Sequence, residues 1–124
     1  MKVLTKAEEQ VMQVIWQMGK GTMGEIYDNI PDPKPAYNTV ATIVRILEKK
    51  GFVQHKAYGR VFVYSPKISQ EEYSRNFLKN FVRKYFDRSL KKLISAFSDE
   101  DLSLEELKEA EEYIRLLINK KSQK

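Results

Sequence analysis

Cysteine is missing from this 124-residue chain. With it go disulfides, thiolate metal sites and thiol nucleophiles. That fits a reducing compartment, and a cytoplasmic location is expected. Histidine occurs once, at His55. A lone imidazole without a thiol or a clustered carboxylate makes a poor metal site, so neither a metal nor any other cofactor is expected. Glycine is sparse, with five residues, and none of them builds a phosphate-cradling loop. No run approaches about 18 uninterrupted apolar residues, so no membrane span is expected. The opening, MKVLTKAEEQ, turns charged at once and lacks the apolar stretch of a signal peptide. No nucleophile is paired with a base, and the acids at 99–101 and 105–112 are consecutive or lie on helix faces. No catalytic residue is assigned, and an enzyme is not expected.

What the chain does have is unevenly placed charge. The net charge is +5. Residues 36–68 carry six Lys/Arg against one acid, and residues 69–98 carry seven against three. Both ends are acidic: four against five in residues 1–35, five against eight in residues 99–124. Positive charge gathered in the middle of a chain points to a polyanion, or reads as an ordinary solvated surface.

Helix signals recur. Thr5 with Glu8, Thr22 with Glu25, Ser69 with Glu72 and Ser103 with Glu106 each form the Ser/Thr-x-x-Glu pattern of a capping box. The first predicted helix carries Val11, Met12, Val14, Ile15, Trp16 and Met18, and Gly19 and Gly21 end it. A short helix with Ile26, Tyr27 and Ile30 follows, then a rigid loop holding Pro31, Pro33 and Pro35. The third helix, about residues 37–50, is the informative one. Val40, Ile43, Val44 and Leu47 project to one side. Asn38, Thr42, Arg45 and Lys49 project opposite them, flanked by Thr39. Gly51 suits the residue after its end.

FVQHKAYGRVFVYSP then reads as a hairpin. Val53, His55 and Ala57 alternate with Gln54, Lys56 and Tyr58. The tip lies at Tyr58-Gly59-Arg60, the return strand runs from Val61 to Tyr64, and Pro66 stops it. From Ser69 the pattern is helical to the end. Tyr73, Phe77, Phe81 and Tyr85 recur at four-residue spacing, with Leu78, Val82 and Phe86 beside them. Leu90, Leu93, Ile94 and Phe97 follow. After an acidic turn at Ser98–Asp101 come Leu104, Leu107, Ile114, Leu117 and Ile118.

This order gives the expected fold class: mainly α with a small β-hairpin wing, a winged helix-turn-helix domain followed by a helical dimerisation domain. The expected domains are 1–68, binding DNA, and 69–124, dimerising. The third helix is read as entering the major groove. Thr39 and Thr42 can offer a hydroxyl or a methyl to a base edge, and Asn38 can pair with adenine. Arg45 and Lys49 are expected at phosphates. Lys56 and Arg60 on the wing are further DNA candidates, Arg60 reaching either a phosphate or the minor groove. Tyr73, Phe77, Phe81, Tyr85, Leu107, Ile114 and Leu117 are the expected dimerisation residues, because so short a helical segment cannot hide them all. The competing reading is a winged-helix protein-interaction module without sequence-specific DNA binding.

The segment NTVATIVRILEKKGFVQHKAYGRVFVYSP resembles the BlaI/MecI penicillinase repressors, winged-helix transcriptional regulators of bacteria. The family's reading helix, T-x-x-T-x-x-x-x-L-x-x-K-G, is met by Thr39, Thr42, Leu47, Lys50 and Gly51. Its wing, G-R-x-F-x-Y, is met by Gly59, Arg60, Phe62 and Tyr64. LTKAEEQVMQVIW and DLSLEELKEAEEYIRLL resemble the family's start and tail. The resemblance implies a homodimer on an inverted-repeat operator, controlling β-lactamase-type or related genes. Thr39 and Thr42 match its base-contacting positions, and Arg60 matches its wing arginine. Some members are inactivated by a sensor-linked protease at an Asn-Phe bond, where this chain has Ala96-Phe97. The chain also departs at Tyr37, where the family commonly has proline. Copper-responsive relatives use a C-terminal cysteine cluster, which this chain lacks.

Overall fold

The computed structural model describes residues 3–123. The elements follow in the order α1 (Lys6–Met18), α2 (Met23–Asp28), α3 (Tyr37–Lys49), β1 (Val53–Tyr58), β2 (Val61–Pro66), α4 (Gln70–Tyr85), α5 (Leu90–Ser95) and α6 (Leu104–Ser122). The chain divides into two compact units, Met1–Leu78 and Lys79–Lys124.

The first unit is a winged helix-turn-helix. Thr5 caps α1: its side chain accepts from the Glu8 N–H at 3.2 Å, and Glu8 Oε1 accepts from the Thr5 N–H at 2.9 Å. Thr22 and Glu25 repeat this at α2 with the same two distances. Gly19, at φ 78°, ends α1. Val11, Met12, Val14 and Ile15 of α1, Ile26 and Ile30 of α2, and Val40, Val44 and Leu47 of α3 bury together with Phe52 and Val53. Burying side chains of this size stabilises by about 1.5–3 kcal/mol each before ordering costs.

β1 and β2 pair antiparallel, from Val53 opposite Pro66 to Tyr58 opposite Val61. The loop between them is Gly59-Arg60, and Gly59 takes φ 64°, where a residue with a Cβ is strained. The return strand continues to Pro66 instead of stopping at Tyr64, because a proline can occupy the end of an edge strand. Tyr64 exchanges backbone hydrogen bonds with Gly21, at 2.8 and 2.9 Å, fastening the wing to the segment between α1 and α2.

Tyr73 departs from its expected role. It is buried in the first unit, its hydroxyl accepting from the Leu4 N–H at 3.0 Å. Its ring lies 5.7 Å from those of both Trp16 and Phe52. Trp16 in turn donates from its indole nitrogen to the Ile68 carbonyl at 2.9 Å. The start of α4 therefore belongs to the winged-helix core. The compact units part after Leu78, where the sequence led us to expect a boundary at 68/69.

The second unit contains the rest of α4, then α5 and α6. Ser89 caps α5, and Ser103 with Glu106 caps α6. The acidic turn is closed by Asp101, whose carboxylate accepts from the Ser98 N–H and hydroxyl at 2.8 and 2.9 Å. Among the described residues of this unit none is buried.

Glu8 does more than cap. It is only 6% exposed, and Lys50, just past the end of α3, donates to both of its carboxylate oxygens at 2.8 Å. Burial pushes this carboxyl up, but the bonds from Lys50 and Thr5 outweigh it and hold it below its ordinary value. Replacing Lys50 with methionine should lower stability by about 2 kcal/mol in urea unfolding, because a buried carboxylate loses its partner. The sign with pH follows from the lowered value. The stabilisation is complete above the unfolded value near 4.5 and is lost as pH falls through the folded one. The gap between wild type and Lys50→Met should therefore shrink in acid. Tyr73→Phe should cost about 1 kcal/mol, from the lost acceptor for Leu4, and Tyr73→Ala about 3–5 kcal/mol. A wild-type midpoint for Tyr73→Ala would remove it from the core.

Candidate nucleic-acid interface

α3 buries Val40, Ala41, Val44 and Leu47 and exposes Asn38, Thr39, Thr42, Arg45 and Lys49. The expected outward ridge is therefore at the surface, and the structure brings its five residues onto the solvent side of one helix. Thr42 Oγ1 donates to the Asn38 carbonyl at 2.9 Å. With its proton used inside the helix, Thr42 presents a methyl and an acceptor oxygen outward. Those groups suit a thymine methyl or an exocyclic amine. Asn38 and Thr39 form no side-chain hydrogen bond among the described residues, so both keep their full capacity.

The cations are similarly available. Arg45, Lys49 and Arg60 form no ion pair among the described residues. Arg60 stands in the exposed tip loop. Lys56, on β1, is exposed and lies over the Tyr58 ring at 5.8 Å from its centroid. Among the described residues no group of histidine and acidic side chains converges as a metal site. No described helix is long and apolar enough to cross a membrane.

Beyond the shared core, the wing is braced against α3 by a side-chain pair. His55 Nδ1 meets Glu48 Oε2 at 2.5 Å, and the imidazole stacks on Phe62 with centroids 4.4 Å apart. This pairing is not legible in the local pattern, because the partners stand seven residues apart across the end of a helix. Tyr64 lies beneath the same region. Burial pushes its phenol up, Glu48 adds to the effect and Arg45 opposes it.

One residue of this surface was missed as a site residue. Tyr37, the first residue of α3, is 46% exposed and its ring stands edge-on to Tyr27 at 5.3 Å. Tyr27 is itself tethered by its hydroxyl to the Pro35 carbonyl at 3.1 Å. Tyr37, Asn38, Arg45 and Arg60 line one recess of about 390 Å³ between α3 and the wing. The only signal in the sequence was the replacement of the family's proline.

The penicillinase repressor family model matches residues 4–116. The chain belongs to the penicillinase repressor family. It is 29% identical over 120 residues to the methicillin resistance regulatory protein MecI of Staphylococcus aureus strain N315, covering 95% of this chain and 94% of that protein. It is also 29% identical over 122 residues to the penicillinase repressor of Bacillus licheniformis, covering 97% and 95%. Among solved structures, the DNA-binding domain of the repressor BlaI matches with a TM-score of 0.51 and 34% identity, over 59% of this chain and 94% of that one. The monomeric form of Bacillus licheniformis BlaI in complex with the blaP half-operator matches with a TM-score of 0.50 and 33% identity, over 58% and 89%. This family of repressors, not an enzyme family, is the setting in which the exposed ridge of α3 is to be understood.

Proposed function

We propose that this chain is a homodimeric transcriptional repressor that binds an inverted-repeat operator in double-stranded DNA through α3 and the wing. The observation that carries the reading is the outward face of α3. Asn38, Thr39 and Thr42 stand exposed there, beside Arg45 and Lys49, neither of which has an internal counter-ion. Short polar groups flanked by free cations suit base edges flanked by phosphates. The half-operator complex of the BlaI relative supports the same assignment. In this reading Asn38, Thr39 and Thr42 contact bases, while Arg45, Lys49, Lys56 and Arg60 contact the backbone.

Dimerisation is assigned to the second unit. A helical unit with no buried residue has no core of its own and needs one from outside. Leu107, Ile114 and Leu117 of α6 are 46%, 37% and 41% exposed. Phe81 and Tyr85 are 37% and 64% exposed, and Phe77, just before the division, is 43% exposed. A second copy is the fitting cover, since a two-fold assembly matches an inverted repeat. Blocking transcription of β-lactamase-type or related genes completes the role. Relief by a sensor-linked protease would act at Ala96-Phe97, an exposed bond just after α5.

Two measurements test this. In binding titrations against a duplex selected from a randomised library, Thr42→Ala should lower the preference over random duplex by about tenfold. Arg60→Ala should weaken both duplexes alike and flatten the salt dependence. A wild-type protein without preference for any duplex would point instead to a protein-interaction module. Light scattering should give the mass of two chains, and Leu117→Glu should shift it toward one. A wild-type mass of one chain at micromolar concentration would remove the dimer.

A further inference from the structure

The flank of α3 nearest the wing adjoins its outward ridge and shares Asn38 and Arg45 with it. Tyr37, Ala41 and Arg45 follow one another there at four-residue spacing, with Asn38 alongside. Arg60 and Phe62 supply the facing wall, and these six residues line the recess of about 390 Å³. Ala41 contributes only a methyl, which leaves the floor open.

The charged groups facing this space are both cationic, the guanidinia of Arg45 and Arg60, beside the hydroxyls of Tyr37, Tyr64 and Thr22 and the Asn38 amide. Arg45 and Arg60 each bring a guanidinium that forms no ion pair among the described residues. Tyr37 brings a hydroxyl that has no hydrogen-bond partner among them. A base edge presents donors and acceptors together, whereas a phosphodiester presents only acceptors and carries charge. Two guanidinium forks and a phenol therefore match a phosphate better than a base. Tyr37 is also held in place before any ligand arrives. Its ring rests against Tyr27, and Tyr27 is fixed by Pro35 and covered by the Lys34 ammonium at 5.0 Å from its centroid.

We propose that this recess seats a single backbone phosphodiester of the bound DNA, held by Arg45, Arg60 and the Tyr37 hydroxyl. The proposal rests on the DNA-binding reading above. Tyr37 is then a positioning residue: by fixing one phosphate at the start of α3, it sets the register in which Asn38 and Thr42 meet the bases.

The test uses the full chain and a duplex that it selects from a randomised library. Single phosphates of that duplex are replaced in turn by uncharged methylphosphonates. At one position per half-site, wild-type affinity should fall by about tenfold. Tyr37→Phe keeps the ring against Tyr27, so thermal unfolding should be unchanged. That variant should bind the unmodified duplex several-fold more weakly, yet lose almost nothing further on the duplex neutralised at that position. Arg45→Ala should couple to the same position. The proposal is overturned if the Tyr37→Phe loss is equal on every modified duplex. It is also overturned if Tyr37→Phe instead selects a different sequence, which would make Tyr37 a base reader. If the wild type selects no duplex at all, the DNA-binding reading itself fails, an outcome distinct from both.

Discussion

The carboxylate of Glu8 lies, almost wholly buried, where α1 begins and α3 ends, and it fixes both. One of its oxygens closes the capping box of α1, and both accept from Lys50 at the end of α3. A helix that reads a groove has to be held in rotation as well as in place, since a turn of a few tens of degrees would swing Thr42 and Asn38 away from the surface. The buried stripe of α3 resists that rotation along its length, and Lys50 resists it at the end. Because the ammonium is held by a carboxylate that has little other solvation, releasing it is costly. The wing depends on the same anchorage through Glu48, two residues before Lys50, which meets His55 on β1.

The two units solve the problem of burial in opposite ways. The first closes a core around Met12, Ile15, Val44, Leu47 and Phe52 and leaves polar and cationic groups outside. The second keeps its leucines, isoleucines and aromatics at the surface. Such a unit is stabilised mainly by what covers it, and where that cover is the proposed second copy, the stability of the repressor is linked to its own concentration. On the proposed pairing, two reading heads are joined, and once the first is seated the second binds at the effective concentration set by the link between them. In the proposed relief by proteolysis, cutting near Ala96-Phe97 would separate α6 from the winged-helix unit, whose core lies within residues 4–73.

The features legible in the sequence are those fixed by neighbours along the chain. Of the four expected capping boxes, needing only residues three apart, three formed both halves, while at Ser69 only the bond from the Glu72 N–H to the Ser69 hydroxyl is made among the described residues. The outward face of α3 and the hairpin tip at Gly59 were equally local. What the sequence concealed was long-range. Tyr73, Phe77, Phe81 and Tyr85 share one four-residue period, and a period does not tell a core from an interface. Tyr73 turned inward because Leu4, Trp16 and Phe52, distant in sequence, surround it, and the division between the units moved with it. Glu8 was visible as a cap, but not as the partner of a lysine 42 residues away. Tyr37 was legible only as a departure from its family.

That departure bears on how recognition diverges within a family of shared fold. The ridge residues Thr39 and Thr42 match the family's pattern, whereas Tyr37 departs from it. Proline at the first position of a helix fixes the backbone but brings no polar group. Tyrosine gives up that rigidity and gains a ring and a hydroxyl. Here the lost rigidity is offset by packing: Tyr27 holds the ring, and Pro35 holds Tyr27. The start of α3 thus remains ordered while its chemistry changes from inert to hydrogen-bonding. Under the proposed phosphate contact, a substitution of this kind would alter where the helix sits on the DNA backbone. Register on the backbone decides which base pairs the reading residues meet, so on that proposal a change at position 37 would act on the sequence read although its side chain contacts no base.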